Sequence, residues 1–346
     1  MDTPLGIITN PHAGKNKFKQ NSRDLQKIIK RFGTVKGSRS LEQLRSIVEE
    51  FIYHKTPYVV CDGGDGTVHW VINTYLDVIN SSDISVIESQ MPVFIPTNGG
   101  TIDFLAQKIG TAGGTAKILK KMHELFEKNA LPEVASLSSF LAEGQYTTEH
   151  KNKSYRKLGF AGALLGFTQK FFSKYYEHTN PSAQTIIEVI SKTFTSNVVK
   201  NSFFAGMVPQ DMTNYAGDIF DPIDVKVKID DQPVPFEKIN TLNVGSIHIN
   251  LKGLVKLFAR ADESDKLHMH VGHLEPFEVF GNLGNLFMGN DYVGKNLIQT
   301  TANKLEIISE ISDGLSPVLD GEIYSGIATM KVTRGPKLRF WGIKAN

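Results

Sequence analysis

Cysteine is almost absent: the 346-residue chain has one, Cys61, which excludes an internal disulfide framework and any zinc site built on cysteine. Its neighbours are those of a buried strand, so it reads as a small core residue rather than a nucleophile. Neither sign of charge is in excess. The 38 Lys and Arg against 36 Asp and Glu leave a formal net charge of +2, too mild to point to a nucleic-acid partner. Long apolar runs are also missing. No stretch approaches the ~20 residues of a membrane-spanning helix, and Met1-Asp2-Thr3-Pro4 lacks the charged-then-apolar texture of an export signal. A cytoplasmic protein is expected. With 40% hydrophobic residues the chain can bury a large core, and its length suggests two domains rather than one.

What is present is concentrated at Cys61-Asp62-Gly63-Gly64-Asp65-Gly66-Thr67. Ahead of it, Tyr58-Val59-Val60 follows Pro57 and is β-branched and aromatic, which predicts a buried strand. Behind it, Val68, Val71, Ile72, Tyr75, Leu76 and Ile79 fall at offsets 0, 3, 4, 7, 8 and 11, one face of a helix. A strand that runs through glycines into a helix presents unscreened backbone N–H groups at the positive end of a helix dipole, a place suited to phosphate. Asp65 would repel phosphate there unless it handles Mg²⁺ or accepts a proton from a hydroxyl nucleophile. The competing reading is a plain tight loop, since Asp and Gly are favoured turn residues.

The rest of the N-terminal part alternates strand and helix. Leu5 to Thr9 reads as a first strand that leaves through Asn10-Pro11-His12-Ala13-Gly14-Lys15. The Gly-Lys pair is no Walker loop, because the preceding glycine is Gly6 and no Ser or Thr follows Lys15. Leu25, Ile28, Ile29 and Phe32 predict a helix capped by Asn21 or Ser22 and stopped by Gly33, with a short strand over Thr34 to Ser38. Ser40 with Gln43 opens a second helix. Pro92 to Pro96 is a further strand that runs into a second glycine turn, Thr97 to Ala106, and Thr115 to Lys128 is another helix. This order predicts a doubly wound parallel sheet with its ligand at the carboxyl edge of the strands, that is, a nucleotide-binding α/β domain over residues 1–130.

Beyond Pro132 the texture changes to short β-like segments: Val134 to Leu141, Leu158 to Ala161, Val225 to Ile229, Leu242 to Val244, Leu305 to Ile311 and Ile327 to Thr333. A β-rich antiparallel domain is expected over 131–346. Within it, Ala163 to Phe204 reads as helical or loop-like and aromatic; Phe167, Phe171, Phe172, Tyr175, Tyr176, Phe194, Phe203 and Phe204 are either ordinary packing or a wall for an acyl chain. His268 and His270 share one strand face with His273 nearby, a pattern open to a metal or to a polar strand face. Exposed sheet edges make a homodimer possible.

Gly63-Gly64-Asp65-Gly66-Thr67 resembles the signature of the kinase superfamily that holds diacylglycerol and sphingosine kinases, NAD kinases and phosphofructokinases. Asn10-Pro11 with Gly14 resembles the start of the bacterial-type lipid kinases, and Asp320-Gly321-Glu322 their late carboxylate motif. The resemblance implies ATP and Mg²⁺, with Asn10, Pro11, Gly14, Gly63, Gly64, Asp65, Gly66, Thr67, Gly100 and Thr101 around the nucleotide. It also implies Glu322 as the base for a lipid hydroxyl, Asp320 as its orienter, Asp65 and Asp320 as Mg²⁺ partners through the nucleotide, and a C-terminal stretch that returns to the first domain. The acceptor is then a diacylglycerol-like or sphingoid lipid met peripherally at a membrane surface.

The second glycine turn departs from the lipid-kinase pattern. One extra residue separates Pro96 from Asp103, and Ile102 stands in place of Asn. The same stretch also fits the NAD-kinase motif, with Asp103 in place of its second glycine. His69 and Trp70 replace the family's Asn and Glu, Ser136 stands near a customary Asp, and Lys266 replaces a glycine beside Asp262, Glu263 and Asp265, where the family helps hold a structural Mg²⁺. An NAD kinase relative and a binding protein without turnover are the alternatives.

Overall fold

The computed structural model describes residues 4–11, 13, 25–100, 102–130, 133–147, 153–178, 183–200, 215, 219–251 and 255–343. It divides into two compact units, Met1–Leu141 with Gly335–Asn346, and Ala142–Arg334.

The first unit is built on four parallel strands. The chain runs β1 (Leu5–Thr9), α1 (Leu25–Ile29), β2 (Gly33–Gly37), α2 (Leu41–Tyr53), β3 (Tyr58–Asp62), α3 (Asp65–Ile79), α4 (Ile84–Gln90), β4 (Val93–Pro96), α5 (Phe104–Lys108) and α6 (Thr115–Glu127). The strand order is β2-β1-β3-β4, with Leu5 opposite both Gly33 and Tyr58 and Tyr58 opposite Val93. Near the end of the chain, Phe340 pairs in parallel with Phe94. The strands are apolar on both faces because helices cover both. One core cluster joins Leu5, Ile7, Val60 and Ile95 to Leu25, Ile29, Ile118, Leu119 and Met122, and Trp341 and Ile343 close it.

Local chemistry explains most of the boundaries. Ser40 caps α2 by accepting from the Gln43 N–H, and Gln43 Oε1 accepts from the Arg39 N–H just ahead of the cap. The expected caps of α1, Asn21 and Ser22, lie outside the described residues. After Ile29 the chain tightens into a 3₁₀ turn, Lys30–Phe32, and β2 starts at Gly33, one residue earlier than the expected Thr34. The short helix α4 has no periodic signal in the sequence; Asp83 caps it by accepting from the Ser85 N–H.

The strand β5 (Ala135–Tyr146) runs from the first unit into the second. The second unit continues through β6 (Ser154–Gly159), β7 (Ala161–Gly166), α7 (Phe167–Glu177), α8 (Ala183–Lys200), β8 (Val225–Ile229), β9 (Gln232–Pro233), β10 (Thr241–Gly245), β11 (Ile249–Leu251), β12 (Val255–Leu257) and β13 (Leu267–His273). It ends with the helices α9 (Pro276–Gly281) and α10 (Leu283–Met288), then β14 (Asn296–Ala302), β15 (Lys304–Ser309), β16 (Val318–Leu319), β17 (Glu322–Ile323) and the first part of the long β18 (Ile327–Phe340), which from Gly335 belongs to the first unit. Six of these strands form one antiparallel sheet in the order β14-β13-β10-β7-β16-β17. A mixed α/β N-terminal part with a parallel sheet and an antiparallel β-rich part after it is therefore the architecture expected from the sequence.

One expectation needs correction. Ala163 to Gly166 is strand, not helix or loop: β7 is a central strand whose neighbours β10 and β16 take up its backbone hydrogen bonds, and helix begins only at Phe167. Gly166 marks the change, since it adopts φ 83 and its missing Cβ leaves room for the Asn240 carbonyl. Among the described residues no helix is long and apolar enough to cross a membrane.

Candidate nucleotide site and carboxylate hairpin

In a 2-1-3-4 parallel sheet the chain reverses its direction of travel between β1 and β3, and ligands bind at the carboxyl end of that crevice. Asn10 leaves β1 there and Gly63-Gly64 leaves β3. Asn10 ties the two loops together: its N–H donates to the Asp62 carbonyl at 3.1 Å, and its Nδ2 donates to Thr67 Oγ1 at 3.0 Å. Pro11 follows, exposed, in a turn. Gly14 and Thr101 lie outside the described residues.

The glycine turn is held from its other side by the loop after β4. Thr97 Oγ1 donates towards the carbonyls of Cys61 and Gly63, each at 3.2 Å, and accepts from the Gly63 N–H. The Gly99 N–H donates to the Gly63 carbonyl at 3.1 Å. A Cβ on Gly64 would lie 2.5 Å from Gly100 Cα, and one on Gly99 would lie 2.6 Å from the Gly63 backbone. Gly64 and Gly99, and Gly100 with a Cβ that would lie 2.7 Å from Gly64 Cα, thus have a structural reason: the two loops touch main chain to main chain. Gly63 and Gly64 are buried, whereas Asp65 and Gly66, the first two residues of α3, remain half-buried.

Asp65 has a definite task. Its Oδ2 accepts from the Phe104 N–H at 3.0 Å and its Oδ1 from the Leu105 N–H at 3.3 Å, so this carboxylate sits on the N-terminus of α5 and satisfies donors the helix cannot. Asp103, just ahead, has φ 57 and accepts from the Gly100 N–H at 2.8 Å through Oδ1. That left-handed backbone is one that Gly, Asn and Asp tolerate, which is how an Asp can stand where the NAD-kinase pattern has glycine. Asp62, 2% exposed, accepts from Thr115 Oγ1 at 2.6 Å and locks α6 to the end of β3.

The helix α3 itself begins without a side-chain cap, because its N-cap residue is Gly64. A helix of 15 residues that starts uncapped at the switch point of a parallel sheet can accept an anion through its backbone. His69 does not face outward with it: the residue is 2% exposed, beside the Asn73 amide. The Cys61 thiol is fully buried and burial pushes its pKa up, so it is no nucleophile.

Asp320 and Glu322 lie in the second unit. Asp320 and Gly321 have φ 50 and 93 and form the two-residue loop of the β16–β17 hairpin, in which Leu319 faces Glu322. Two successive positive φ values are the mark of a type I′ turn, for which Asp-Gly is a preferred pair. Asp320 Oδ1 also accepts from the N–H groups of Phe160 and Ala161 at 2.8 and 2.9 Å. Its carboxylate therefore pins the hairpin to the start of β7, and Glu322 follows half-buried at a fixed register position.

The acidic loop and the histidines serve the second unit internally. Asp262 accepts from the His248 N–H and Asp265 pairs with Arg334. His268 and His270 do share one face of β13, with ring centroids 4.8 Å apart, and Phe258 stacks on His270. Both are 2% exposed. Burial, reinforced by the Arg260 cation, pushes His268 down to about 4; burial, then His268 and Arg260, push His270 down to about 3. His273 turns instead towards Glu275. Among the described residues no group of three or more His, Cys, Asp or Glu is arranged to hold a metal.

Sequence reasoning missed Thr97 and the α5-capping role of Asp65. Neither has a spacing signature, because both depend on which loop lies beside the glycines in space. Replacing Asp65 by Asn is expected to destabilise the first unit by about 1–3 kcal/mol, since an amide keeps one acceptor and turns a donor towards the other N–H. An unchanged urea midpoint would remove the capping role.

The comparisons with known proteins agree with this geometry. Residues 4–138 match the diacylglycerol kinase catalytic domain family, which covers all four parallel strands and both glycine turns. No curated protein matches the chain. Among solved structures, the fold is similar to that of a protein of Bacillus anthracis str. Sterne provisionally assigned as a diacylglycerol kinase, with TM-score 0.62 and 14% identity over 99% of this chain and 97% of that one. It is likewise similar to a diacylglycerol kinase from the same organism, with TM-score 0.57 and 13% identity over 99% and 97%. The matched segment is thus diacylglycerol-kinase-like, a kinase-type catalytic domain.

Proposed function

We propose that the protein transfers the γ-phosphoryl group of ATP to a hydroxyl of a diacylglycerol-like or sphingoid lipid at a membrane surface. The observation that carries this reading is the uncapped start of α3 at the switch point of the parallel sheet, within the segment that matches the kinase family. Backbone N–H groups at the start of α3, with the loops from Asn10 and Gly100, bind the polyphosphate. Glu322 accepts the proton of the attacking hydroxyl. Asp320 fixes the hairpin that presents Glu322, and its engagement with Phe160 and Ala161 makes it a positioning residue. Mg²⁺ bound with the nucleotide would supply neutralisation of the phosphate charge. Asp65 and Asp320 are the carboxylates that the family resemblance assigns to that ion, while their backbone partners argue against a metal held by protein alone.

The same engaged carboxylates favour one second reading, a nucleotide- and lipid-binding protein without turnover. The test is transfer of labelled γ-phosphate from Mg-ATP to lipids in mixed micelles, with NAD and sugars as parallel acceptors. A labelled lipid is the expected result. Label on NAD alone would replace the lipid acceptor by a dinucleotide, and ATP binding without label on any acceptor would establish the second reading.

A further inference from the structure

The hairpin α9–α10 in the second unit is built inside out. Between Pro276 and Val293 the single buried residue is Asn282, 6% exposed. Its Nδ2 donates to the carbonyls of Glu278 and Val293, each at 2.7 Å, and its Oδ1 accepts from the N–H of Val293 at 2.7 Å and from Asn285 Nδ2 at 3.0 Å. Glu278 closes the segment further, with Oε2 accepting from the Glu275 N–H and Oε1 from the Lys295 N–H. These polar groups hold the hairpin from within, together with Phe280, which meets the rings of Phe194 and Phe220, while four large apolar side chains stay exposed: Phe277 is 75% exposed, Met288 62%, Val293 73% and Phe287 44%. A water-soluble surface is normally arranged the other way round.

The chemistry of the patch selects its occupant. Val279 to Asn290 contains no charged residue in twelve positions, and the charges beside Phe277 and Val293, namely Glu275, Glu278, Asp291 and Lys295, carry no basic excess that would recognise an anionic partner. The four exposed side chains offer roughly 400–500 Å² in all, from residues that bury about 150–250 Å² each when aromatic. A stable second copy of the chain needs about 800 Å² on each partner. A lipid interface has no such threshold, since each side chain that enters it gains independently. We infer that α9–α10 is a wedge that inserts into the interface of an electroneutral lipid bilayer, with Phe277, Phe287, Met288 and Val293 as the inserting residues. It supplies the membrane contact that the lipid-kinase reading calls for, yet it concerns a different surface and is measured without nucleotide.

The test is co-sedimentation of the full chain with phosphatidylcholine vesicles, for the natural protein and a Phe277→Asp/Met288→Asp double variant. Binding by the natural protein is expected to change less than about twofold between roughly 0.05 and 0.5 M NaCl. In the variant it is expected to fall at least about tenfold, with an unchanged thermal midpoint. A Phe277→Trp reporter is expected to shift its emission to the blue on vesicle addition, and this arm stands even if the double variant fails to fold. No binding by the natural protein, equal binding by a folded variant, no blue shift, or binding confined to anionic vesicles and abolished by salt would each overturn the inference. A natural protein that ignores vesicles but sediments as a dimer, which the variant dissolves, would assign the patch to a second copy. Vesicle binding in a protein that fails to phosphorylate any lipid would strike the kinase reading and leave the wedge intact.

Discussion

Replacing Glu322 by Gln is expected to lower the rate of phosphoryl transfer at saturating ATP and lipid by about 10²-fold or more, with the thermal midpoint unchanged. The substitution keeps the shape of the side chain and removes its capacity to take a proton. Its register is set by the neighbours rather than by Glu322 itself: Asp320 and Gly321 make the turn, and Leu319 lies across the strand pair. Asp320→Ala is the informative contrast. There the single acceptor of both the Phe160 and Ala161 N–H groups, Oδ1, is removed, whereas Asp320→Asn keeps that acceptor and only loses the capacity to take a proton. The expected result is a stability loss of about 1–3 kcal/mol together with a fall in rate that follows from a displaced hairpin. A Glu322→Gln enzyme with normal turnover would end the assignment of Glu322 as base. An Asp320→Asn protein with normal stability and low turnover would move the proton-accepting role towards Asp320.

The parallel sheet was legible because β1, β3 and β4 are buried on both faces and read as apolar runs, and because α3 carries an uninterrupted helical face that begins at the glycine turn. The expectation of a candidate site at the carboxyl edge followed from that order alone. What could not be read was the pairing of the two glycine turns. Gly63 and Gly64 are adjacent to Gly99 and Gly100 only once β3 and β4 are neighbours, so a linear pattern cannot separate glycines that meet a ligand from glycines that meet each other. Asp65 suffers the same ambiguity. Its residue type suggests a metal or a proton, while its actual hydrogen bonds go to the start of α5, a helix too short to declare itself by periodicity. Asp-Gly-Glu at 320–322 is the opposite case, since Asp-Gly before a short strand signals a type I′ hairpin and the structure contains one.

Acidification from pH 7 to 5 is expected to cost the second unit on the order of 2–4 kcal/mol through His268 and His270. The sign follows from burial. Both imidazoles have folded-state pKa values depressed from the ordinary 6.5, to about 4 and about 3. Below pH 6.5 the unfolded chain therefore binds protons that the folded chain refuses, and stability falls as the pH drops towards those lower values; above 6.5 the two states bind alike and the dependence vanishes. The groups that hold the pair neutral are identifiable. Phe258 packs against both rings, Tyr292 lies 4.8 Å from His270, and Arg260, paired with Asp291, keeps a positive charge nearby. Among the described residues no carboxylate meets either ring nitrogen of His268 or Nδ1 of His270, and Asp291, which lines the same small pocket, is engaged by Arg260. The check is urea denaturation across this pH range, followed by a probe in the second unit. A His268→Leu/His270→Leu variant is expected to lose most of the dependence while it retains a cooperative transition, because a leucine fits an apolar site and cannot titrate. If the natural protein has the same midpoint at pH 5 and pH 7, or if the double variant keeps the full slope, the pair is not the acid-labile element.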